Sequence, residues 1–419
     1  MNKLKCIRIW FLILSLASPW YVNGFSVLTH EALIDAAWEK SILPLLLKKY
    51  PGSSADQIKQ ARAYVYGGAV APDMGYYPFG SALYTDLVHY SRSGDFVEML
   101  LKEANNLNEF AFAVGFLCHY NADNYGHPMA TNRSVPLVYP REKKKFGNEV
   151  TYAEDKISHM RMEFGFDVLQ TARGNYATQG YHDYIGFKVD TSVLCRAFLK
   201  TYGLDLQAIF GHHLQLSVET FRWTINNVFP IITRAAWAAK KGDILKENPT
   251  ATSKSFSWKM HKKEYNKEFG SGYKRPGIFA TAFSFFVRVL PKVGPARSLK
   301  FKTPTPQAEK YFIQSFDTVL VHYALDLNEL KYEKIGLADL DFDTGKKTAA
   351  CEYPLADDTY NKLLLKLDKE HFKNINAPIK QNIITYYGVR NIGNTAKMSR
   401  KCRRLADALK DLQSFNSFN

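Results

Sequence analysis

The feature that most constrains the fold is the segment 110–128, where an apolar run passes directly into polar residues at helical spacing. Residues 110–118 carry no charged side chain, and His119, Asp123 and His127 follow at intervals of four residues. Four residues of an α-helix turn through ~400°, so these three side chains share one face. Because the apolar run predicts a buried helix, the imidazole and carboxylate groups need partners inside the protein.

Such a face is typical of a metal-binding edge, where imidazole nitrogens and a carboxylate coordinate ions. The middle residue, Asp123, has two oxygens and can bridge two ions. Gly126 and Pro128 predict that the helix ends beside His127, which lets this histidine turn toward a second ion. The alternative is a polar face exposed to solvent, which the apolar flank disfavours.

The rest of the chain predicts an all-α fold, because apolar residues recur at helical spacing and few segments alternate with a period of two. Thr29 is a candidate N-cap for the first of these helices. Helices are predicted over residues 30–47, 96–104, 109–123, 157–172, 191–202, 210–241, 311–327, 357–367 and 399–412.

Composition divides the chain into four segments. Residues 1–24 form a leader, 25–240 a helical region, 241–306 a basic connector and 307–419 a helical C-terminal region. The connector mixes lysines and aromatic residues with Ser, Gly and Pro, and contains one apolar helix, Ile278–Leu290. Core packing is the expected role of that helix, and contact with a membrane surface is the alternative.

The N-terminus has the pattern of a secretory signal. Lys3, Lys5 and Arg8 precede the apolar run 9–17, which is too short to span a bilayer. Cleavage is plausible after Ala17 or after Gly24, and export also follows if the leader remains as an anchor. Four cysteines then remain, with no CxxC pair, and no specific disulfide is predicted.

The chain is strongly basic. Its 419 residues include 55 Lys and Arg against 40 Asp and Glu, a formal net charge of +15. This excess favours an anionic partner, which can be a membrane surface, a nucleic acid or an acidic substrate, and it does not constrain the fold.

Other candidate ligands are ambiguous individually. His159 and Glu163 share a predicted helix face, which suits a pair of metal ligands. An intrahelical ion pair is the alternative, because it has the same spacing. His30 could instead be a surface histidine, and Asp73 could be an ordinary turn residue. His89 could instead be a histidine packed in the core. Together with His119, Asp123 and His127 they supply eight donors, enough for two or three zinc ions.

This set of residues resembles the zinc-dependent phospholipase C and single-strand-specific zinc nuclease superfamily. It is most similar to the branch containing the catalytic domain of glycosylphosphatidylinositol-specific phospholipase D. The resemblance covers residues 25–240 and implies a multi-helix catalytic domain that binds three zinc ions. The implied ligands are Asp73, His89, His119 and Asp123 for one zinc, His30 and the shared Asp123 for its neighbour, and His127, His159 and Glu163 for the third.

The family also uses the α-amine and first carbonyl of the mature chain as ligands. In the nuclease members that residue stands five positions before the first histidine, which here is Phe25 in place of the usual Trp. Cleavage between Gly24 and Phe25 is therefore expected, with export to the periplasm or the extracellular space. His127 follows His119 by eight residues rather than ten, a spacing that resembles the glycosylphosphatidylinositol-specific branch and favours lipid.

The resemblance implies a zinc-dependent phosphodiester hydrolase that attacks phospholipids at a membrane surface with zinc-bound hydroxide. Asp73 resembles the catalytic carboxylate that assists proton removal, and cleavage of phospholipase C or D type is equally compatible with the metals. The alternatives are a single-strand nuclease or nucleotide phosphohydrolase, and an inactive zinc-containing surface-binding protein. No stable nucleic-acid complex is expected, and no oligomeric state is predicted.

Two further patterns in the sequence are weaker. The segment Asp339–Gly345 resembles a calcium loop, but an EF-hand requires Gly and Glu where this chain has Thr344 and Ala350, so a turn is predicted. The aromatic residues that follow Asp73 are expected to pack together, and lining a substrate pocket is the alternative; they are Tyr76, Tyr77, Phe79 and Tyr84.

Overall fold

The computed structural model describes residues 27–173, 187–225, 300–388 and 400–415, together with the single positions 242 and 246. The predicted leader, Phe25, the helix Ile278–Leu290 and nearly all of the basic connector lie outside these residues. The described part of the chain is helical and contains no strand, only an isolated bridge between Leu340 and Lys347. The predicted all-α fold is therefore confirmed.

The helices are α1 (Val27–Ala37), α2 (Leu43–Lys49), α3 (Ala55–Val70), α4 (Ala82–Tyr90), α5 (Ser93–Glu103), α6 (Leu107–Gly126), α7 (Asn132–Val138), α8 (Pro140–Phe146), α9 (Lys156–Arg173), α10 (Thr191–Tyr202), α11 (Leu206–Ile209), α12 (Leu214–Trp223), α13 (Pro306–Lys331), α14 (Pro354–Lys369), α15 (Ala377–Gly388) and α16 (Arg400–Ser414). Two π-helical turns, Trp38–Ile42 and His127–Thr131, and a 3-10 turn, Ala71–Tyr76, connect some of them.

The buried helix α6 packs against α3 at very short range. A Cβ atom added to Gly115 of α6 would lie 2.0 Å from the carbonyl oxygen of Val65, and one added to Gly68 of α3 would lie 2.0 Å from that of Phe112. Only glycine permits this approach of two backbones. Sequence analysis did not predict α3, whose Gly67-Gly68 pair lowers the local preference for helix.

The C-terminal region packs on the same core as the first helical region. The long helix α13 lies against α6, where the Tyr323 hydroxyl donates to the carbonyl of Val114 at 3.0 Å. The Asn121 amide donates to Asp326 at 2.7 Å, and Phe312 stacks on Phe166 with ring centroids 4.7 Å apart. Residues of both regions belong to one continuous hydrophobic cluster.

The beginning of α1 differs from the prediction. The helix already includes Val27, so Thr29 lies inside it and is not its N-cap. The Thr29 hydroxyl donates instead to Asp167 of α9 at 2.7 Å, and the backbone N–H of Leu28 donates to the same carboxylate at 3.1 Å. This buried carboxylate ties α1 to α9, two helices that each carry predicted ligands.

Two further expectations concern membranes and thiols. Within the described ranges, every helix is too short or too polar to cross a bilayer. Cys118 and Cys195 carry free thiols, and Cys118 is buried. Burial raises the pKa of the Cys118 thiol far above its usual range, so this residue behaves as a small apolar side chain.

Candidate metal centre

The fold brings the predicted ligand side chains together in one buried centre. They come from α1, the 3-10 turn after α3, α4, α6, the π-turn after α6, and α9. Each is at most 5% exposed; they are His30, Asp73, His89, His119, Asp123, His127, His159 and Glu163. Phe25, the remaining predicted ligand, lies outside the described residues.

Asp123 is the central residue of this group. Its Oδ2 atom lies 3.1 Å from Nε2 of His119 and 3.6 Å from Nε2 of His89. Its Oδ1 atom lies 3.6 Å from Nε2 of His30 and 3.8 Å from Nε2 of His127. One carboxylate therefore faces four histidines, and its two oxygens divide them into pairs.

On one side of the centre is the first metal cluster, defined as His30, Asp73, His89, His119 and Asp123. It contains two groups of three residues, and within each group the ligand atoms lie within 4.8 Å of one another. The groups are His30, His119 and Asp123, and Asp73, His89 and His119. The rings of His30 and His119 stack with centroids 4.4 Å apart, and Asp73 Oδ1 lies 3.4 Å from His89 Nε2.

Backbone carbonyls fix two of these rings. Nδ1 of His89 lies 2.9 Å from the carbonyl oxygen of Thr85, one turn earlier on α4. Nδ1 of His119 lies 2.9 Å from the carbonyl oxygen of Ala69 on α3. A carbonyl can only accept, so each Nδ1 carries the proton and each Nε2 is left as a ligand atom facing the centre.

The second metal cluster, defined as His127, His159, Glu163 and Asp343, lies on the other side. Glu163 Oε1 is 2.8 Å from His159 Nε2 and 3.2 Å from His127 Nε2. Asp343 Oδ1 is 3.2 Å from His127 Nδ1 and 3.9 Å from His159 Nε2. One ligand atom each from His127, His159 and Asp343 lie within 4.8 Å of one another.

Sequence analysis missed Asp343 as a site residue. The turn predicted for Asp339–Gly345 is present, since the Gly345 N–H donates to the carbonyl of Asp341 at 2.9 Å. The interpretation as an ordinary turn was nevertheless incomplete, because this turn delivers a carboxylate to the centre. The signal was the alternation of three aspartates, which was compared only with a calcium loop.

The charges of the centre are strongly coupled. Burial alone would raise the pKa of Asp123, but His119 and His127 outweigh it and hold that pKa below its usual range. Burial would lower the pKa of His127, but Asp123, Asp343 and Glu163 raise it well above the ordinary value. Burial, reinforced by His119, lowers the pKa of His30, which favours a neutral ring suited to metal coordination.

These residues fit zinc. Imidazole nitrogens and carboxylate oxygens are the donors that catalytic zinc sites use. The contact between His159 Nε2 and Glu163 Oε1 is short, yet within the described chain neither atom has a partner with hydrogen-bond geometry. Two such atoms that approach without bonding are arranged like ligands directed at a common ion.

The aromatic residues near Asp73 are mainly packing residues. Tyr77 is buried with its ring 4.6 Å from that of Phe221. Tyr84 is buried and donates its hydroxyl to the carbonyl of Ala71 at 3.1 Å. Phe79, in contrast, is 43% exposed.

Comparison with known proteins agrees with the geometry. Residues 29–210 match the model of the family described as zinc dependent phospholipase C. This match confirms, over residues 29–210, the resemblance to the zinc-dependent phospholipase C superfamily predicted from the sequence. No curated protein and no solved structure gave a significant match. Asp343 lies outside the matched segment.

Proposed function

We propose that the protein is an exported zinc-dependent phosphodiesterase that hydrolyses phospholipids by phospholipase C-type cleavage. The observation that carries this proposal is the placement of Asp123 between two clusters of histidines and carboxylates. Such an arrangement suits multinuclear zinc chemistry on a phosphate ester. The family match supports this class of reaction.

Zinc, when bound, supplies Lewis-acid polarisation of the phosphoryl oxygens and acidification of water. Asp123 joins the two clusters, because its Oδ2 faces His119 of the first cluster and its Oδ1 faces His127 of the second. The carbonyls of Thr85 and Ala69 prevent rotation of His89 and His119.

Asp73 is the residue to which we assign proton transfer. It lies at the edge of the first metal cluster and is 3% exposed. Burial raises the pKa of its carboxyl, despite the opposing effect of His89 and His119. The carboxylate therefore takes up a proton from the attacking water more readily than a surface aspartate would.

The expected substrate surface is anionic. The net charge of +15 favours attraction to such a surface. The short helix α8 contributes exposed basic side chains, namely Arg141, Lys143, Lys144 and Lys145. Export rests on the leader pattern of residues 1–24.

The test is analysis of reaction products by mass spectrometry. Protein beginning at Phe25 is incubated with vesicles of mixed phospholipids, with and without a zinc chelator, and with zinc restored after chelation. We expect diacylglycerol to form only when zinc is present. Asp123→Asn is the negative control, because it removes the charge shared by both clusters.

Three results would contradict the proposal in different ways. Phosphatidic acid in place of diacylglycerol would indicate phospholipase D-type cleavage. Intact lipids together with cleavage of single-stranded DNA would indicate the nuclease. Zinc-loaded protein that cleaves neither substrate would indicate an inactive surface-binding protein.

A further inference from the structure

The C-terminal hairpin, defined as residues 339–348, is an ordered element with its own hydrogen bonds. The Asp341 N–H donates to the carbonyl of Lys346 at 2.8 Å, and the Thr348 N–H donates to that of Asp339 at 3.0 Å. At its tip, the Thr344 N–H donates to the Asp341 carboxylate at 2.7 Å. The hairpin therefore has a defined shape before its contacts with the metal centre are considered.

The hairpin is docked directly onto the helices that carry ligands. Phe342 is fully buried, with its ring centroid 5.0 Å from that of His89 and 5.8 Å from that of His119. Its backbone N–H donates to the carbonyl of His89 at 3.1 Å. A Cβ atom added to Gly345 would lie 2.4 Å from the carbonyl oxygen of Asn124 on α6, so the two backbones touch.

Docking places the carboxylate of Asp343 beside His127. Asp343 is 1% exposed, and its Oδ1 lies 3.2 Å from Nδ1 of His127. Its Oδ2 accepts a hydrogen bond from the Tyr353 hydroxyl. The side-chain amide of Asn132 donates to its backbone carbonyl at 2.7 Å. Tyr353 therefore holds the carboxylate of Asp343, and Asn132 holds its backbone.

The contact repeats a relation seen in the first metal cluster. There, Nδ1 of His89 and of His119 each donate to a backbone carbonyl, and Nε2 faces the centre. In His127, Nε2 faces Glu163 at 3.2 Å and Asp123 at 3.8 Å, while Nδ1 faces Asp343. Asp343 occupies the place that the two carbonyls occupy in the first cluster.

We propose that Asp343 is a positioning residue of the second metal cluster, which accepts a hydrogen bond from Nδ1 of His127 and directs Nε2 toward the metal. The two nitrogens lie on different sides of the ring, so the contact of Asp343 with Nδ1 leaves Nε2 directed toward Glu163 and Asp123. Carboxylates that orient metal-bound histidines in this way strengthen metal binding. The metal-binding unit then extends beyond residues 25–240 into the C-terminal region.

This inference rests on the zinc centre of the proposed function, and zinc affinity tests it without reference to substrate. The chain from Phe25 to its C-terminus is titrated with zinc against a chromophoric chelator, for the wild type and for Asp343→Ala, Asp343→Asn, Tyr353→Phe and Asp341→Asn. For Asp343→Ala we expect one zinc to bind roughly 10–100-fold more weakly, with the other sites unchanged. Asp343→Asn keeps an acceptor oxygen, so we expect it to lose less zinc affinity than Asp343→Ala. The loss of zinc affinity in Tyr353→Phe should be smaller still.

Asp341→Asn is the matched control. It perturbs the same hairpin through Thr344 and does not reach His127. We expect its zinc affinity to equal that of the wild type. An equal loss in this control would show that Asp343 acts only through the folding of the hairpin, and would overturn the proposal.

Two other results would also overturn it. Wild-type zinc affinity in Asp343→Ala would show that the contact with His127 has no role in metal binding. Loss of one zinc from Asp343→Asn as complete as that from His159→Gln would identify Asp343 as a ligand and not a positioning residue. A wild type that binds zinc but leaves lipid intact would contradict the proposed function alone.

Discussion

Asp123 faces histidines of both metal clusters, and the clusters have similar donor groups, but different parts of the protein orient their histidines. In the first cluster the orienting groups are the backbone carbonyls of Thr85 and Ala69, which belong to helices of the matched segment. In the second cluster the orienting group is the side chain of Asp343, which comes from a hairpin 216 positions away from His127.

Because of this difference, the two clusters should respond to different kinds of substitution. A backbone carbonyl stays in place when side chains change, provided that the helix carrying it does not move. The first cluster should therefore respond to changes in helix packing, and the second to changes in the C-terminal hairpin. Substitutions that separate these two sensitivities test the comparison directly.

Asp123→Ala should have a greater effect than any other substitution, because it removes the carboxylate that faces histidines of both clusters. The loss leaves four histidines facing a buried space without their carboxylate, and we expect zinc to be lost from both clusters. Phospholipid hydrolysis should fall on the order of 10³-fold, as expected when a main source of transition-state stabilisation is removed. Zinc content by mass spectrometry and the rate of diacylglycerol release are the measurements.

Asp326→Asn is the control for this substitution. Asp326 accepts a hydrogen bond from Asn121 of the same helix α6 but does not belong to either cluster. It should retain wild-type zinc content. Full zinc occupancy in Asp123→Ala would refute the central position of Asp123.

The next largest effect is expected from Gly115→Ala. The added Cβ would lie 2.0 Å from the carbonyl oxygen of Val65, so α3 must move away from α6. That movement withdraws the Ala69 carbonyl from His119 and should weaken zinc binding in the first cluster. We expect a loss of unfolding free energy of about 3–5 kcal/mol, the upper range for single substitutions, measured by denaturant titration.

Gly388→Ala is its control, since Gly388 lies in a helix with nothing within 4 Å of an added Cβ. It should be neutral or slightly stabilising, because alanine favours helix more than glycine does. If Gly115→Ala weakened the second cluster as much as the first, the two clusters would not respond separately.

A smaller effect is expected from Gly345→Ala, which acts on the second cluster. Gly345 has a φ of +66°, and its added Cβ would lie 2.4 Å from the carbonyl oxygen of Asn124. The left-handed conformation costs about 1–2 kcal/mol, and displacement of the hairpin costs more. We expect the free energy of unfolding to fall by about 2–4 kcal/mol. Zinc binding should weaken in the second cluster only.

Gly52→Ala isolates the conformational part of this cost. Gly52 has a φ of +89° but nothing within 4 Å of an added Cβ. The Gly52→Ala variant should lose only about 1–2 kcal/mol of unfolding free energy and retain all of its zinc affinity. Equal zinc binding in the two alanine variants would show that docking of the hairpin does not matter to the second cluster.

The same comparison explains how far sequence analysis reached. His119, Asp123 and His127 could be predicted as a site because their spacing lies within one helix, where geometry follows from the sequence. The approach of α3 and Asp343 to this helix depends on tertiary packing, for which one sequence offers no local signal. The aspartates of Asp339–Gly345 were interpreted only as a turn, and the Gly67-Gly68 pair carries no local sign that it packs against another helix.

The smallest effect concerns the pH dependence of the hairpin. Burial, followed by the charge of Asp95, raises the pKa of Asp339 to about 6. Because the folded pKa exceeds the ordinary value, the buried charge destabilises the fold above pH ~6, and the penalty fades as pH falls toward ~4. Asp339→Asn should therefore raise the unfolding free energy by about 1–2 kcal/mol at pH 8, and the gain should vanish near pH 4. Denaturant titrations at both pH values measure it. A gain independent of pH would mean that Asp339 is not the titrating group.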